Sequence, residues 1–248
     1  KLSQMAGLIS SISFMFCGFI VVWMSWTTLS LTISFLPLAL FSVEKYFSSK
    51  KIAFLFLFFL SIPLSFFSGH FQISLYFSFL IIGYIFFKFA ETGNKKNVLY
   101  SLTFFALGIL VLTPQILPSI ELYFNASRSL IFQKIEAVGL YHLPTILSPD
   151  FYGNPVTRNN PLGHYIEWNA YFGVIPFLLA IYSLFSKSKK VLFFALMCIT
   201  SLLLCLDTPI VDLLVKLKIP VFSTSSLSRI LGIFSFSGAV LSAFGFDY

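Results

Sequence analysis

Apolar stretches about as long as a bilayer is thick follow one another along this chain, at about 5–24, 28–43, 52–68, 71–88, 98–117, 169–186, 190–206 and 226–246, and none carries a charge at its middle. A run of roughly 20 apolar residues spans the hydrocarbon core as a helix. Lipid offers no partner to an exposed peptide group, so only helices and closed barrels cross it. The expected fold is therefore all-α: a polytopic transmembrane helix bundle of about eight spans, forming one integral membrane domain over residues 1–248. The shorter runs are expected to tilt less or to lie partly in the interface. Only 10% of the residues are charged, against roughly a quarter in a soluble domain.

The net charge of +7 is compatible with nucleic-acid binding by magnitude alone, but its placement excludes that class. Lys1, then Lys45, Lys50 and Lys51, then Lys88, Lys95 and Lys96, then Lys187, Lys189 and Lys190 fall in short connections on one face if the spans alternate. The positive-inside rule makes that face cytoplasmic. The turns at Trp26-Thr27 and Gly69-His70, the long segment 114–168 and the connection 207–225 then lie on the extracytoplasmic side. The expected location is the cell membrane, multi-pass, with the bilayer as partner and no nucleic acid.

Segment 114–168 is too polar to enter a membrane, and it holds two of the three histidines and four of the nine carboxylates. Pro114 and Pro118 are expected to end the fifth span, since proline removes a helix hydrogen bond and restricts the residue before it. Ser119 then caps a helix over 119–138, with Ile120, Phe124, Leu130, Ile131 and Ile135 broadly on one side, lying in the interface plane. Beyond Gly139, prolines 144, 149, 155 and 161 with Gly153 and Gly163 predict a rigid, turn-rich loop able to shape a pocket. Residues 209–218 read as a short amphipathic helix stopped by Pro220. Cys17, Cys198 and Cys205 sit in apolar runs without metal-ligand spacing and read as small buried hydrophobes. His142 and His164 have no ligand spacing either, so no metal site is assigned, although a divalent cation stays open.

Six stretches in order carry a resemblance. They are FCGFIVVWMSWTTLSLTISFLPLALFSVEK with Glu44-Lys45; SGHFQISLY with Gly69, His70 and Gln72; TPQILPSIEL; LPTILSPDFYGNP around Asp150; EWNAYFGVIPFLLAIYSL with Glu167, Tyr171, Gly173 and Pro176; and SRILGIFSFSGAVLSAFGFDY. In order and spacing the chain resembles the YfhO family of bacterial membrane proteins, grouped with GT-C-type glycosyltransferases. The resemblance implies transfer of a sugar from a polyprenyl-phosphate donor to a cell-envelope glycan or lipid acceptor, such as a teichoic acid, at the extracytoplasmic face. It also implies a catalytic carboxylate in the first outer loop. The turn at 24–28 contains no acid, so that carboxylate is expected upstream of Lys1, in a longer protein of which this chain is a fragment.

Such a reaction needs a group to take the acceptor's proton and cations to hold the leaving phosphate. Asp150, His70 and Glu167 are the catalytic candidates. Asp150 reads either as a sugar-binding acid beside Phe151 and Tyr152 or as a turn-capping residue. His70 reads as a cavity residue or a helix cap, and Gln72 joins it as a substrate contact. Glu167, with Trp168 and Tyr171, reads as part of the site or as a first-turn acid favoured by the helix dipole; Glu121 reads the same way, with the dipole favoured. Arg229, close to the apolar region, needs a phosphate or carboxylate partner unless it snorkels. Arg128 and Arg158 are further phosphate candidates, and Tyr152 and Trp168 offer ring faces to a sugar. The competing classes are a transporter or lipid flippase and a non-catalytic membrane scaffold.

Overall fold

A computed structural model describes residues 2–126, 132–157, 164–219 and 221–248. Among these residues the regular structure is helical: α1 Gln4–Met15, α2 Gly18–Trp23, α3 Thr28–Ser34, α4 Leu36–Ser49, α5 Ile52–Phe67, α6 Phe71–Thr92, α7 Lys95–Val111, α8 Thr113–Asn125, α9 Val174–Ser183, α10 Lys189–Cys205, α11 Pro209–Lys216 and α12 Leu231–Phe246. Two compact units emerge, one made of 1–25 with 131–248 and the other of 26–130.

Each of the eight expected spans contains a helix, but length separates them. Three are long and apolar enough to cross a bilayer: Thr28–Ser49, Phe71–Thr92 and Leu227–Phe246. A fourth crossing exists if the pair Lys95–Val111 and Thr113–Asn125, bent by 67°, acts as one span. The first expected span is broken at Phe16-Cys17 between α1 and α2. The sixth shrinks to the ten residues of α9.

The burial pattern is that of a lipid-facing surface. In α6, Phe79 and Phe86 are exposed while Ser74 and Ser78 are buried. In α12, Ser235, Ser237 and Ser242 are buried, and Ser242 returns its hydroxyl to the Ala239 carbonyl. Large apolar side chains outside and small hydroxylated ones between helices is the arrangement lipid favours, because it lets backbones approach closely.

The second unit packs α4 and α7 against α5, and α3 and α6 against the same group. Pro63 lies inside α5 without ending it. Two buried serines bring neighbours close there, with Ser65 donating to the Thr32 carbonyl and lying 3.3 Å from the Ser74 hydroxyl. Lys88 is buried near the end of α6 but is paired with Glu91 and, at 3.2 Å, with Glu44. Tyr84 also donates to Glu44 at 2.7 Å. The charge is thereby compensated, as a nonpolar setting demands.

In the first unit, α12 is central, packed against α1, α9 and α10. Its Gly245 lets the α9 backbone in, since a Cβ there would stand 1.9 Å from the Leu179 carbonyl oxygen. Residues before α9 are not helical. Segment 169–173 has no regular structure and is largely buried, and other elements take up its carbonyls: Ser13 donates to Phe172, the Gly18 amide to Tyr171 and Ser235 to Ala170. Non-helical backbone is tolerated at such depth only where protein satisfies it in this way. Missing side chains make the room, because a Cβ on Gly18 would collide with Asn169 and one on Gly238 with the Phe172 ring. Gly173, at φ +104, turns the chain into α9.

Segment 114–168 departs from expectation in two places. Pro118 does not end a helix: α8 starts at Thr113, with Pro114 in its first turn and Pro118 inside. Glu121 accordingly sits mid-helix and is not a first-turn acid. The helix expected over 119–138 stops at Asn125. Residues 133–138 are instead non-helical and held by isolated backbone pairing, with Gln133 donating to Ser223, Leu227 to Ile135, Val138 to Cys205 and Asp207 to Val138. Glu136, at φ +52, could not continue a right-handed helix. Ile135 and Val138 reach cover by this pairing, not through an amphipathic stripe. The short helix at 209–218 is present as α11.

Candidate functional site

The site is built on the non-helical segments of the first unit, between the pairing strip 133–138 and the buried run 169–173. A 3-10 turn, Leu140–Ile146, follows Gly139 and carries His142 inward. Next, a turn closed by the Gly153 amide on the Asp150 carbonyl presents Asp150 and Tyr152. A further turn, closed by Glu167 and Trp168 amides on the His164 carbonyl, presents Tyr165, Glu167 and Trp168.

These turns enclose a cleft of about 20 Å³ lined by His142, Thr145, Pro149, Tyr152, Gly153, Tyr165, Trp168 and Asn169. That volume accommodates about one water-sized group. Its walls are rings: His142 lies 4.3 Å from Trp168 and 5.2 Å from Tyr152, centroid to centroid, both edge-on. The Tyr152 hydroxyl donates to the Tyr141 carbonyl at 2.6 Å, which fixes that wall.

His142 is 6% exposed, and among the described residues both of its ring nitrogens lack a hydrogen-bond partner, as does the Trp168 indole nitrogen. An unsatisfied buried polar group costs about 1–3 kcal/mol, so this cluster is an expense that packing alone does not explain. Burial also lowers the His142 pKa below the usual imidazole value, so the neutral ring dominates near pH 7.

Asp150 is exposed and holds two donors. Tyr165 gives its hydroxyl at 2.7 Å and Asn154 its amide at 3.1 Å. Burial, reinforced by the Asp150 charge, pushes the Tyr165 phenol up to about 12, so it stays a donor and orients the carboxylate. The turn-capping reading of Asp150 does not describe its side chain, since the turn is closed by its backbone carbonyl.

Glu167 and Arg229 meet. One Glu167 oxygen accepts from Arg229 Nη2 at 2.8 Å and Nε at 3.2 Å, and the other accepts from Ser228 at 2.9 Å. The guanidinium also lies over the Trp23 ring at 5.5 Å. Glu167 stands seven residues before α9 and is no helix-dipole acid. Its partner is the arginine that the sequence required to find one. Beside them, His164 Nδ1 lies 2.5 Å from Glu136, and the His164 ring lies 6.4 Å from Trp168.

The structure thus brings Asp150, Tyr152, Glu167, Trp168 and Arg229 into one unit. His142, Tyr165, Asn169 and Ser228 join them without having been singled out as site residues from sequence. His70 and Gln72 belong to the other unit. There His70 caps α6, its Nδ1 accepting from the Ile73 amide, and Gln72 is buried and donates to Tyr76. Arg128 and Arg158 lie outside the described residues. Among the described residues no three His, Cys, Asp or Glu side chains converge on a point where a metal could sit. An apolar groove of about 540 Å³ in the second unit is lined by Phe56, Phe59, Phe104, Leu107, Leu110 and Val111, which bring no reactive group. Comparison with protein-family models, with curated proteins and with solved structures finds no match.

Proposed function

We propose that this chain is part of a membrane glycosyltransferase, moving a sugar from a polyprenyl-phosphate donor to a cell-envelope acceptor at the extracytoplasmic face. The observation that carries this reading is the Asp150 carboxylate, aligned by a phenol that keeps its proton and set beside a cleft walled by Tyr152, Tyr165 and Trp168. A carboxylate so placed can accept the proton of an attacking hydroxyl, while ring faces cover the C–H groups of a sugar. Arg229 can take the phosphate's developing charge by exchanging a Glu167 oxygen for a phosphate oxygen, both being bidentate partners of a guanidinium. The lipid part of the donor suits a chain with three or four helices long and apolar enough to cross a bilayer. His70 and Gln72 have capping and packing duties and are left out of the mechanism.

The test is release of polyprenyl phosphate from a polyprenyl-phosphate sugar by purified full-length protein in lipid vesicles. Asp150→Asn should lower turnover by about 10²-fold or more, the usual weight of a positioned base. Arg229→Gln should raise KM for the donor. The bend of 67° between α7 and α8 favours a second reading, transport, because broken helices build transporter sites. If no donor is consumed while a labelled lipid or solute crosses the bilayer, transport replaces glycosyl transfer.

A further inference from the structure

We propose that the cleft between His142 and Trp168 is a recognition site for a single uncharged hydroxyl, and that the ligand presenting it is a saccharide whose ring lies against Tyr152 and Trp168. The atoms define the group. A neutral imidazole offers one acceptor nitrogen and one N–H, and an indole offers an N–H alone. A hydroxyl can donate to the imidazole and accept from the indole at the same time. An ammonium, which only donates, cannot take the indole N–H, and a carbonyl, which can accept from the indole and from the imidazole N–H, leaves the acceptor nitrogen of the imidazole unmet.

Three observations converge on this. Both His142 nitrogens and the Trp168 nitrogen are buried without partners among the described residues, though their rings are only 4.3 Å apart. The cleft beside them, about 20 Å³, has room for about one water-sized group. Among the described residues no charged side chain lines it: the remaining walls are Thr145, Pro149, Tyr152, Gly153, Tyr165 and Asn169. The lowered pKa of the imidazole fits the same picture, since burial keeps the ring neutral. A charged sugar phosphate placed there would lose its hydration with nothing to replace it.

The inference deepens the glycosyl-transfer reading and rests on it for the choice of a saccharide. The preference for a neutral hydroxyl follows from the pocket itself. The test is titration of the full-length protein in lipid nanodiscs with methyl glucoside, methyl galactoside and methyl N-acetylglucosaminide, with glucose 6-phosphate as the charged probe. Calorimetry gives affinity, and intrinsic fluorescence compared with Trp168→Phe isolates the indole. At least one methyl glycoside should bind saturably, bind at least tenfold more weakly to His142→Phe and to Trp168→Phe, and outcompete glucose 6-phosphate. Thermal unfolding of both variants at or above the wild-type midpoint establishes that they fold.

Absence of binding by every methyl glycoside, or equal binding by wild type and His142→Phe, overturns the proposal. Donor turnover distinguishes the two readings. Glycoside binding lost in His142→Phe with no donor ever consumed leaves the pocket standing and removes the transferase. Turnover by a wild-type protein whose glycoside affinity ignores His142 does the reverse.

Discussion

Glu167 and Arg229 show how a single residue's position decides its chemistry. In sequence Glu167 looks like an acid placed for a helix dipole, but the peptide after it is not helical up to Gly173, and the acid turns to the guanidinium instead. Removing one partner strands the other at partial burial. Glu167→Gln should therefore destabilise the protein by about 1–3 kcal/mol, read as a lowered midpoint of thermal unfolding in detergent. The double variant Glu167→Gln, Arg229→Gln should lose less than the sum of the two single changes. His142 gives a pH signature. Its folded pKa lies below the ordinary 6.5, so the unfolded chain binds the extra proton first. Its contribution is complete above about pH 6.5 and is lost as the pH falls below that value. The wild-type midpoint should fall between about pH 7.5 and 5 by more than that of His142→Phe. The neighbouring titratable groups, Tyr165 with Asp150 and His164 with Glu136, are present in both proteins and cancel in the difference.

At the scale of elements, apolar run length located a helix at each expected span but did not show which would be long: the helices long enough to cross are 28–49, 71–92 and 227–246, where the runs read as 28–43, 71–88 and 226–246. It failed where the chain has buried partners that hydropathy does not register. The run 169–186 is uncharged and mostly apolar, yet its first five residues are not helical, and Ser13, Gly18 and Ser235 serve their carbonyls. Nothing near residue 169 in sequence announces that. Residues 133–138 follow the same logic, pairing with backbone about 70 to 90 positions away. The candidate site shares this division. Asp150, Tyr152, Glu167, Trp168 and Arg229 were legible because acids, rings and an arginine stand out against apolar sequence. His142 and Tyr165 were not, because their significance lies in burial and in one hydrogen bond. Two glycines test the element packing. Gly245→Val should cost about 1–3 kcal/mol or more, since its side chain meets the Leu179 carbonyl. Gly7→Ala in α1, with nothing within 4 Å of the added carbon, should raise stability by about 0.5–1 kcal/mol. Unfolding midpoints of the two variants in detergent check both.

For the whole molecule, exposed Phe and Leu surfaces with buried serines, and three or four helices long and apolar enough to cross a bilayer, suit a membrane protein. On the proposed reading, its polar segments bring carboxylates and rings to where a lipid-linked donor would meet its acceptor. That account places the cleft on the extracytoplasmic face and the lysines at 187–190 on the other, separated by the short helix α9. Sidedness is therefore the claim on which the rest depends. The measurement is labelling of single introduced cysteines in intact cells with a membrane-impermeant maleimide. Val156→Cys, at a residue 91% exposed, reports the site loop, and Lys187→Cys the basic cluster. Immediate labelling of Val156→Cys, with Lys187→Cys reacting only after permeabilisation, is the predicted result. Protection of Val156→Cys with free labelling of Lys187→Cys would put the cleft in the cytoplasm and contradict the account.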